Sequence, residues 1–259
     1  MLKARNLLHI NYTDSILEDM TLIHSLRNNI IDGDVVIMKN VLKPSLIKDV
    51  KNYLMNLGRN SMPNYQPLTE GVMNHHRVNI WDDRSYVKGC FHQFSFFPWN
   101  QDVFNFFDIT RNIFFLKNLI NNQPKDRFIK PENGCAVRLS FQFYPRGTGG
   151  MNKHCDPVDH HQLTVPTLVM SQRGVDYETG GVYVENKNGV LVFIEDECDI
   201  GDVILFNAQI PHGVKMIDEH KEIDWLSFEG RWMMIFATNK LSTNQAVANA
   251  IDLEINITR

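Results

Sequence analysis

The sequence predicts an α+β fold in which helices of the first half buttress an antiparallel β-structure in the second. Two observations carry this. From about residue 134, "GCAVRLSFQFYP", "QLTVPTLVMSQ", "GGVYVENKNGVLVFI", "GDVILFNAQIPHGVKMI" and "GRWMMIFATNK" are short strand patterns separated by Gly, Pro, Asn and Asp clusters. Strands in series with no helix between them build a sandwich or barrel. Before that point, apolar residues recur at helical spacing in three stretches. No linker invites a cut, so 1–259 reads as one domain: 1–130 a helical buttress with a substrate or lid segment, 131–242 the β-core carrying the site, and 243–259 a tail.

Residues 15–30, "SILEDMTLIHSLRNNI", predict a first helix, with Ser15 and Glu18 as a capping box. "DGDVVIMKNVL" (32–42) reads as a turn and then a buried strand rich in Val and Ile. In "KPSLIKDVKNYLMNLG" (43–58), Pro44 suits a helix start, Leu46, Ile47, Val50, Tyr53, Leu54 and Leu57 share a face, and Gly58 takes the C-cap position. Residues 59–99 mix aromatic and polar side chains without a clear period, and the run 91–99 reads as core or as a lid. Apolar positions 103, 106, 107, 113, 114 and 116 predict a helix within 100–121, ended by Pro124. In "CAVRLSFQFY" the apolar set Cys135, Val137, Leu139, Phe141 and Phe143 alternates with Ala136, Arg138, Ser140, Gln142 and Tyr144. The second set faces water in an ordinary half-buried strand and lines the interior in a barrel with a cavity.

The chain is long enough to bury a substantial core. A formal charge of −4, with no basic run, gives no electrostatic reason to expect nucleic acid or an anionic membrane as partner. No apolar stretch approaches the ~20 residues of a membrane span. The opening "MLKARNLLHINYTD" lacks the long apolar run and cleavage site of a signal peptide. The four cysteines lie far apart with no Cys-x-x-Cys pair, which excludes a zinc ribbon and suits reduced thiols in a cytoplasm.

The densest chemistry is in "NKHCDPVDHH" (152–161). His154 and Asp156 are two apart, so on an extended segment they project to one side and Cys155 to the other. "GDVILFNAQIPHGVKMI" supplies a third ligand, His212, 56 residues after Asp156. Two histidines and one carboxylate suit an iron(II) that must leave positions open for a co-substrate and dioxygen. His160 and His161, beyond Pro157, read as loop residues near the site. His75, His76 and His92 read first as hydrogen-bonded structural histidines. If the co-substrate is 2-oxoglutarate, its far carboxylate needs a planar two-pronged donor. Arg231, opening the apolar strand "GRWMMIFATNK", fits that need, and a buried charge there requires a partner.

With these residues in place, the chain resembles the iron(II)/2-oxoglutarate-dependent oxygenases, and within them the phytanoyl-CoA dioxygenase-like branch. "DGDVVIMKNVLKPSLIKDVKNYL" is similar to that branch's opening strand and helix, "HCD" to its proximal ligand pair, and "GDVILFNAQIPHGV" to its distal-histidine strand. "DYETGGVYV" is similar to the turn that precedes one of its short strands. The resemblance covers most of 32–57 and 134–240. It implies a double-stranded β-helix, or jelly-roll, core with His154, Asp156 and His212 as catalytic iron(II) ligands. It further implies 2-oxoglutarate and dioxygen as co-substrates, ascorbate as a stimulant, and Arg231 holding the 5-carboxylate. Thr164, Thr167 or Tyr144 would lend a hydroxyl.

The implied reaction is hydroxylation, or another oxidation, of an unactivated C–H bond. Arg138 and Gln142 on the inward face, with Arg146 just after, point to a polar small molecule such as an amino acid or natural-product intermediate. No cluster of Lys and Arg awaits the phosphates of an acyl-CoA. His212 and Arg231 are 19 apart, more than is usual in that family, with "DEHKEIDWLSFEG" as an insertion that a longer hairpin would absorb. An aspartate at 156, rather than Gly or Ala, speaks against the halogenases of the superfamily. Two other classes stay open: a metal-dependent hydrolase using the same triad on zinc, and a non-catalytic jelly-roll binding protein.

Overall fold

The computed structural model describes residues 1–127, 130–158, 162–246 and 248–254, so His160 and His161 lie outside the described residues. In chain order the elements are β1 (Leu7–Asn11), a 3₁₀ turn (Asp14–Leu17), α1 (Met20–Ile31), β2 (Val35–Lys39), α2 (Pro44–Asn60), β3 (His75–Ile80) and β4 (Gly89–Phe96). Two short helices follow, α3 (Phe106–Ile109) and α4 (Arg111–Ile120). Then come β5 (Cys135–Pro145), β6 (Gly150–Cys155), β7 (Thr167–Val169), β8 (Gly181–Glu185), β9 (Leu191–Phe193), β10 (Val203–Leu205), β11 (His212–Lys215), β12 (Gly230–Lys240) and β13 (Ile251–Asp252).

The strands form one curled sheet in the order β1-β2-β10-β7-β12-β5-β4-β6-β11-β8-β9, with β3 added beside β4 and β13 beside β6. Its two ends approach each other, since the Ala4 amide, just before β1, donates to the Glu185 carbonyl at the end of β8. Every pairing is antiparallel except that of β1 with β2. Helices α1, α2 and α4 cover the outer face around β2, β5 and β12. Ile23, Leu26 and Ile30, then Ile47, Val50 and Leu54, then Ile113, Phe114 and Leu116 join Leu139, Phe141, Phe143, Trp232 and Phe236 in the largest apolar cluster. Among the described residues no helix is long and apolar enough to cross a membrane.

Several expectations shift once local chemistry is visible. The first helix begins at Met20, because the Asp19 carboxylate accepts from the Leu22 amide at 2.9 Å and caps it there. Ser15 and Glu18 lie in and after the 3₁₀ turn, where Ser15 Oγ meets Thr13 Oγ1 rather than capping anything. Gly58 sits inside α2 instead of ending it. A Cβ there would come within 2.5 Å of the Phe228 ring, so this glycine permits close packing and not a left-handed turn. The stretch 100–121 divides at Thr110, whose hydroxyl donates to the Phe106 carbonyl. Strand β4 lies between β5 and β6 with all eight residues buried, so much of the 91–99 run is core and not a lid.

The insertion 216–229 is not a hairpin. β11 pairs with β6 and β8, whereas β12 pairs with β5 and β7, so these residues cross from one side of the curled sheet to the other.

Candidate metal centre and cavity

His154 stands at the end of β6 and His212 opens β11, directly opposite it in the antiparallel register. Their rings lie 4.1 Å apart. Asp156 follows β6 immediately, and its amide donates to the Ala208 carbonyl, which fixes the carboxylate beside the two rings. His212 Nε2 and Asp156 Oδ2 are 3.6 Å apart, and one ligand atom from each of the three residues lies within 4.8 Å of the others. Each ring is oriented by its other nitrogen. His154 Nδ1 donates to the Asn152 carbonyl and His212 Nδ1 to the Ile210 carbonyl, both at 2.8 Å. A carbonyl can only accept, so both Nδ1 atoms carry a proton, which leaves Nε2 as the nitrogen each ring can offer a cation. Burial and then the neighbouring His154 push His212 down to about 4, against the pull of Asp156, so its imidazole is neutral near pH 7. Cys155 turns away, its thiol donating to the Gln209 carbonyl.

The triad opens onto a cavity of about 300 Å³ inside the curl. Alternation along β5 builds one wall: Arg138, Gln142 and Tyr144 line it, while Leu139, Phe141 and Phe143 pack outward under the helices. The polar set of that strand thus faces the interior. Met233 and Ile235 of β12 and Thr167 of β7 add to the wall.

Arg231 is fully buried at the start of β12, across from Tyr144. Its Nε donates to both carboxylate oxygens of Glu195 at 2.8 Å. Glu195 also accepts from the Tyr177 hydroxyl and the Val182 amide, so the carboxylate is held from three sides. Burial works against the Arg231 charge, and Glu195 more than offsets it, holding the guanidinium protonated. The outer donors remain. Nη1 touches Met233 Sδ, Nη2 has no partner among the described residues, and Cζ lies 5.2 Å from the Tyr144 ring centroid. Arg231 is not itself on the cavity wall, but Met233 and Tyr144 are.

The other sequence candidates divide. Thr167 lines the cavity, whereas Thr164 is buried off it, bridged to Asn207. Tyr144 lines it with its hydroxyl donating to Gln142 Oε1. Arg146 lies outside the cavity, paired with Glu229. His76 and His92 are buried and hydrogen-bonded to each other at 2.9 Å, away from the triad. Sequence reasoning missed Glu195, the first acid of the run 195–197 in the short 3₁₀ turn after β9, where nothing local sets it apart from Asp196 and Glu197. It also missed Arg77 on β3, in a stretch that shows no period.

Comparison with known proteins adds the fold. No family model matches the chain, and no curated protein matches it by sequence. Solved structures do match in shape. A Pseudomonas putida prolyl-4-hydroxylase is 12% identical with a TM-score of 0.53, over 84% of this chain and 98% of that one. A full-length Neurospora crassa protein, solved in complex with alpha-KG and thymine, is 12% identical with a TM-score of 0.52, over 91% of this chain and 85% of that one. JOX2, solved with 2OG, Fe and JA, is 12% identical with a TM-score of 0.52, over 93% of this chain and 77% of that one. The chain shares the fold of these structures. Its core is the double-stranded β-helix, here with helices on one outer face. The likeness is one of fold and does not single out the phytanoyl-CoA dioxygenase-like branch.

Proposed function

We propose that the protein is an iron(II)- and 2-oxoglutarate-dependent oxygenase that hydroxylates, or otherwise oxidises, a C–H bond of a polar small molecule, an amino acid or a natural-product intermediate. The observation that carries this reading is the triad at the cavity: two imidazoles, each held by Nδ1 on a backbone carbonyl so that Nε2 is the nitrogen left to bind a cation, and one carboxylate, in a group within 4.8 Å. That donor set fits iron(II), which takes imidazole and carboxylate ligands on one face and leaves the remaining positions open. His154, Asp156 and His212 would hold it. Bound there with 2-oxoglutarate, iron supplies dioxygen activation coupled to oxidative decarboxylation of the co-substrate to succinate, with ascorbate sustaining the ferrous state.

The chain's own residues do the positioning. The carbonyls of Asn152 and Ile210 fix the ring orientations, so little reorganisation accompanies ligand binding. Arg231 has its Nε committed to Glu195 and its outer donors directed to Met233 and Tyr144. This supports Arg231 as anchor of the 5-carboxylate, since a guanidinium pre-set by an internal carboxylate loses little freedom on binding a second one. Of the three candidate hydroxyls, those of Tyr144 and Thr167 lie on the wall and would serve the same end by turning from their present acceptors, Gln142 Oε1 and the Val165 carbonyl. Met151, Phe206 and Met233 make the inner wall apolar and exclude water from the reacting centre. Arg138 and Gln142 face the space left for the substrate.

The test is succinate release from 2-oxoglutarate by the purified chain with iron(II) and ascorbate. The oxygenase reading requires slow release even without substrate, abolished in His212→Ala. Absence of release from a protein that retains zinc through purification would favour the hydrolase instead.

A further inference from the structure

Three strands carry a polar row across the cavity wall. Arg77 of β3 is opposite Gln93 of β4, and Gln93 is opposite Gln142 of β5. All three line the cavity, with Arg138 further along β5. Arg77 donates through Nη2 to Gln93 Oε1 at 3.1 Å, and its Cζ lies 5.5 Å from the Tyr65 ring centroid and 5.9 Å from that of Phe91. Those rings and that amide hold the guanidinium in place while leaving its charge unanswered. Arg138 has neither an ion pair nor a hydrogen bond among the described residues, and the Nε atoms of both arginines are buried and unpartnered.

The acids nearby do not meet the need. Asp156 is the sole carboxylate on the described wall, and it belongs to the metal triad. Asp82 acts on Arg77 only at a distance, since its carboxylate oxygens are bonded to Arg84. Burial, and then the like charge of Arg77, pull the Arg138 guanidinium down to about 9, with Asp156 opposing. Two neighbouring half-buried cations, each with a buried Nε and no bonded counter-ion among the described residues, give the cavity a positive charge that an anionic ligand would answer.

We propose that Arg77 and Arg138 form an anion clamp that selects a carboxylate-bearing substrate and directs it toward the metal triad. The assignment rests on the oxygenase reading for calling the bound molecule a substrate, and on the two guanidinium groups for its charge. It places the second anion of the reaction at a site distinct from Arg231. An amine in the same substrate gains nothing at this wall, so the class is an acid rather than a free base.

The probe is benzoate against benzamide, followed by saturation-transfer NMR on the full chain with and without manganese(II) and 2-oxoglutarate. The clamp predicts that benzoate binds and benzamide does not. It also predicts that saturating 2-oxoglutarate leaves benzoate binding intact, and that bound manganese speeds relaxation of the benzoate protons. Affinity should fall about tenfold in Arg77→Gln and in Arg138→Gln, the loss of one charge-assisted contact. It should be partly restored in Arg77→Lys and unchanged in Arg111→Gln on the α4 surface. Equal binding of benzamide, no benzoate binding by the wild-type chain, or displacement by 2-oxoglutarate overturns the clamp, the last by placing these arginines on the co-substrate. Benzoate binding in a chain that takes up neither manganese nor 2-oxoglutarate would instead sink the oxygenase reading and leave the clamp standing.

Discussion

Two regions around the cavity treat a guanidinium in opposite ways. Behind the wall, fully buried Arg231 has its own carboxylate, Glu195, fixed in turn by Tyr177 and the Val182 amide. On the β3–β5 wall Arg77 has aromatic rings and an amide, Arg138 has neither, and no acid is bonded to either one among the described residues. The contrast teaches how one side-chain type is given two duties. A guanidinium with an internal partner is part of the framework and offers only its spare donors. A guanidinium without one holds an electrostatic demand that a ligand must meet.

The largest effect that separates the two is on stability. Arg231→Gln leaves Glu195 buried and unpaired, which costs about 3–5 kcal/mol and lowers the melting temperature by on the order of 10 °C. Arg138→Gln removes an unpaired cation and should leave the melting temperature unchanged or raised. Calorimetry of the two variants side by side checks this, and similar melting points would erase the distinction. Next in size is the co-substrate. Arg231→Lys keeps the charge but loses the fork, so 2-oxoglutarate should bind roughly tenfold or more weakly. Steady-state measurement of its concentration dependence decides the matter, and an unaltered dependence would move the anchoring role to Arg138.

A third prediction concerns pH and lies outside both regions. Burial pushes His76 to about 4 and His92 to about 3, so both are neutral in the fold. The unfolded chain binds those protons near the ordinary value of about 6.5. Their contribution is therefore complete above that value and is lost as pH falls toward 4. The melting temperature should drop between pH 6.5 and 4.5, and less steeply in His92→Phe, which suits the surrounding Phe143, Phe228 and Trp225 rings. The smallest effect belongs to Arg146→Ala. That arginine pairs at the surface with Glu229, so urea titration should show a change of about 1 kcal/mol or less.

What was legible in the sequence follows the same division. The triad could be read because its three residues lie on extended backbone, where spacing of two fixes a shared side, and because a short apolar strand delivers His212. The inward polar face of β5 was legible as one of two alternatives, and the curl of the sheet decides it by closing that face around the cavity. Strands β3 and β4 themselves were not legible. Each residue of β4 is buried, one set against the helices and the other against the cavity, so alternation of polarity does not mark it. The helix starts failed where a second capping residue competed, Asp19 against Ser15. The Glu195–Arg231 pair joins residues 36 apart through a short 3₁₀ turn, and no local pattern announces such a pair.

The central claim is that one metal ion sits among residues 154, 156 and 212, with the co-substrate running from it to Arg231. Anomalous diffraction at the iron edge, from crystals grown anaerobically with iron(II) and 2-oxoglutarate, tests it most directly. The account predicts a single iron peak in bonding contact with both Nε2 atoms and the Asp156 carboxylate, and the far carboxylate of 2-oxoglutarate on the Arg231 Nη donors. An iron peak elsewhere, or that carboxylate seated on Arg138, would contradict it.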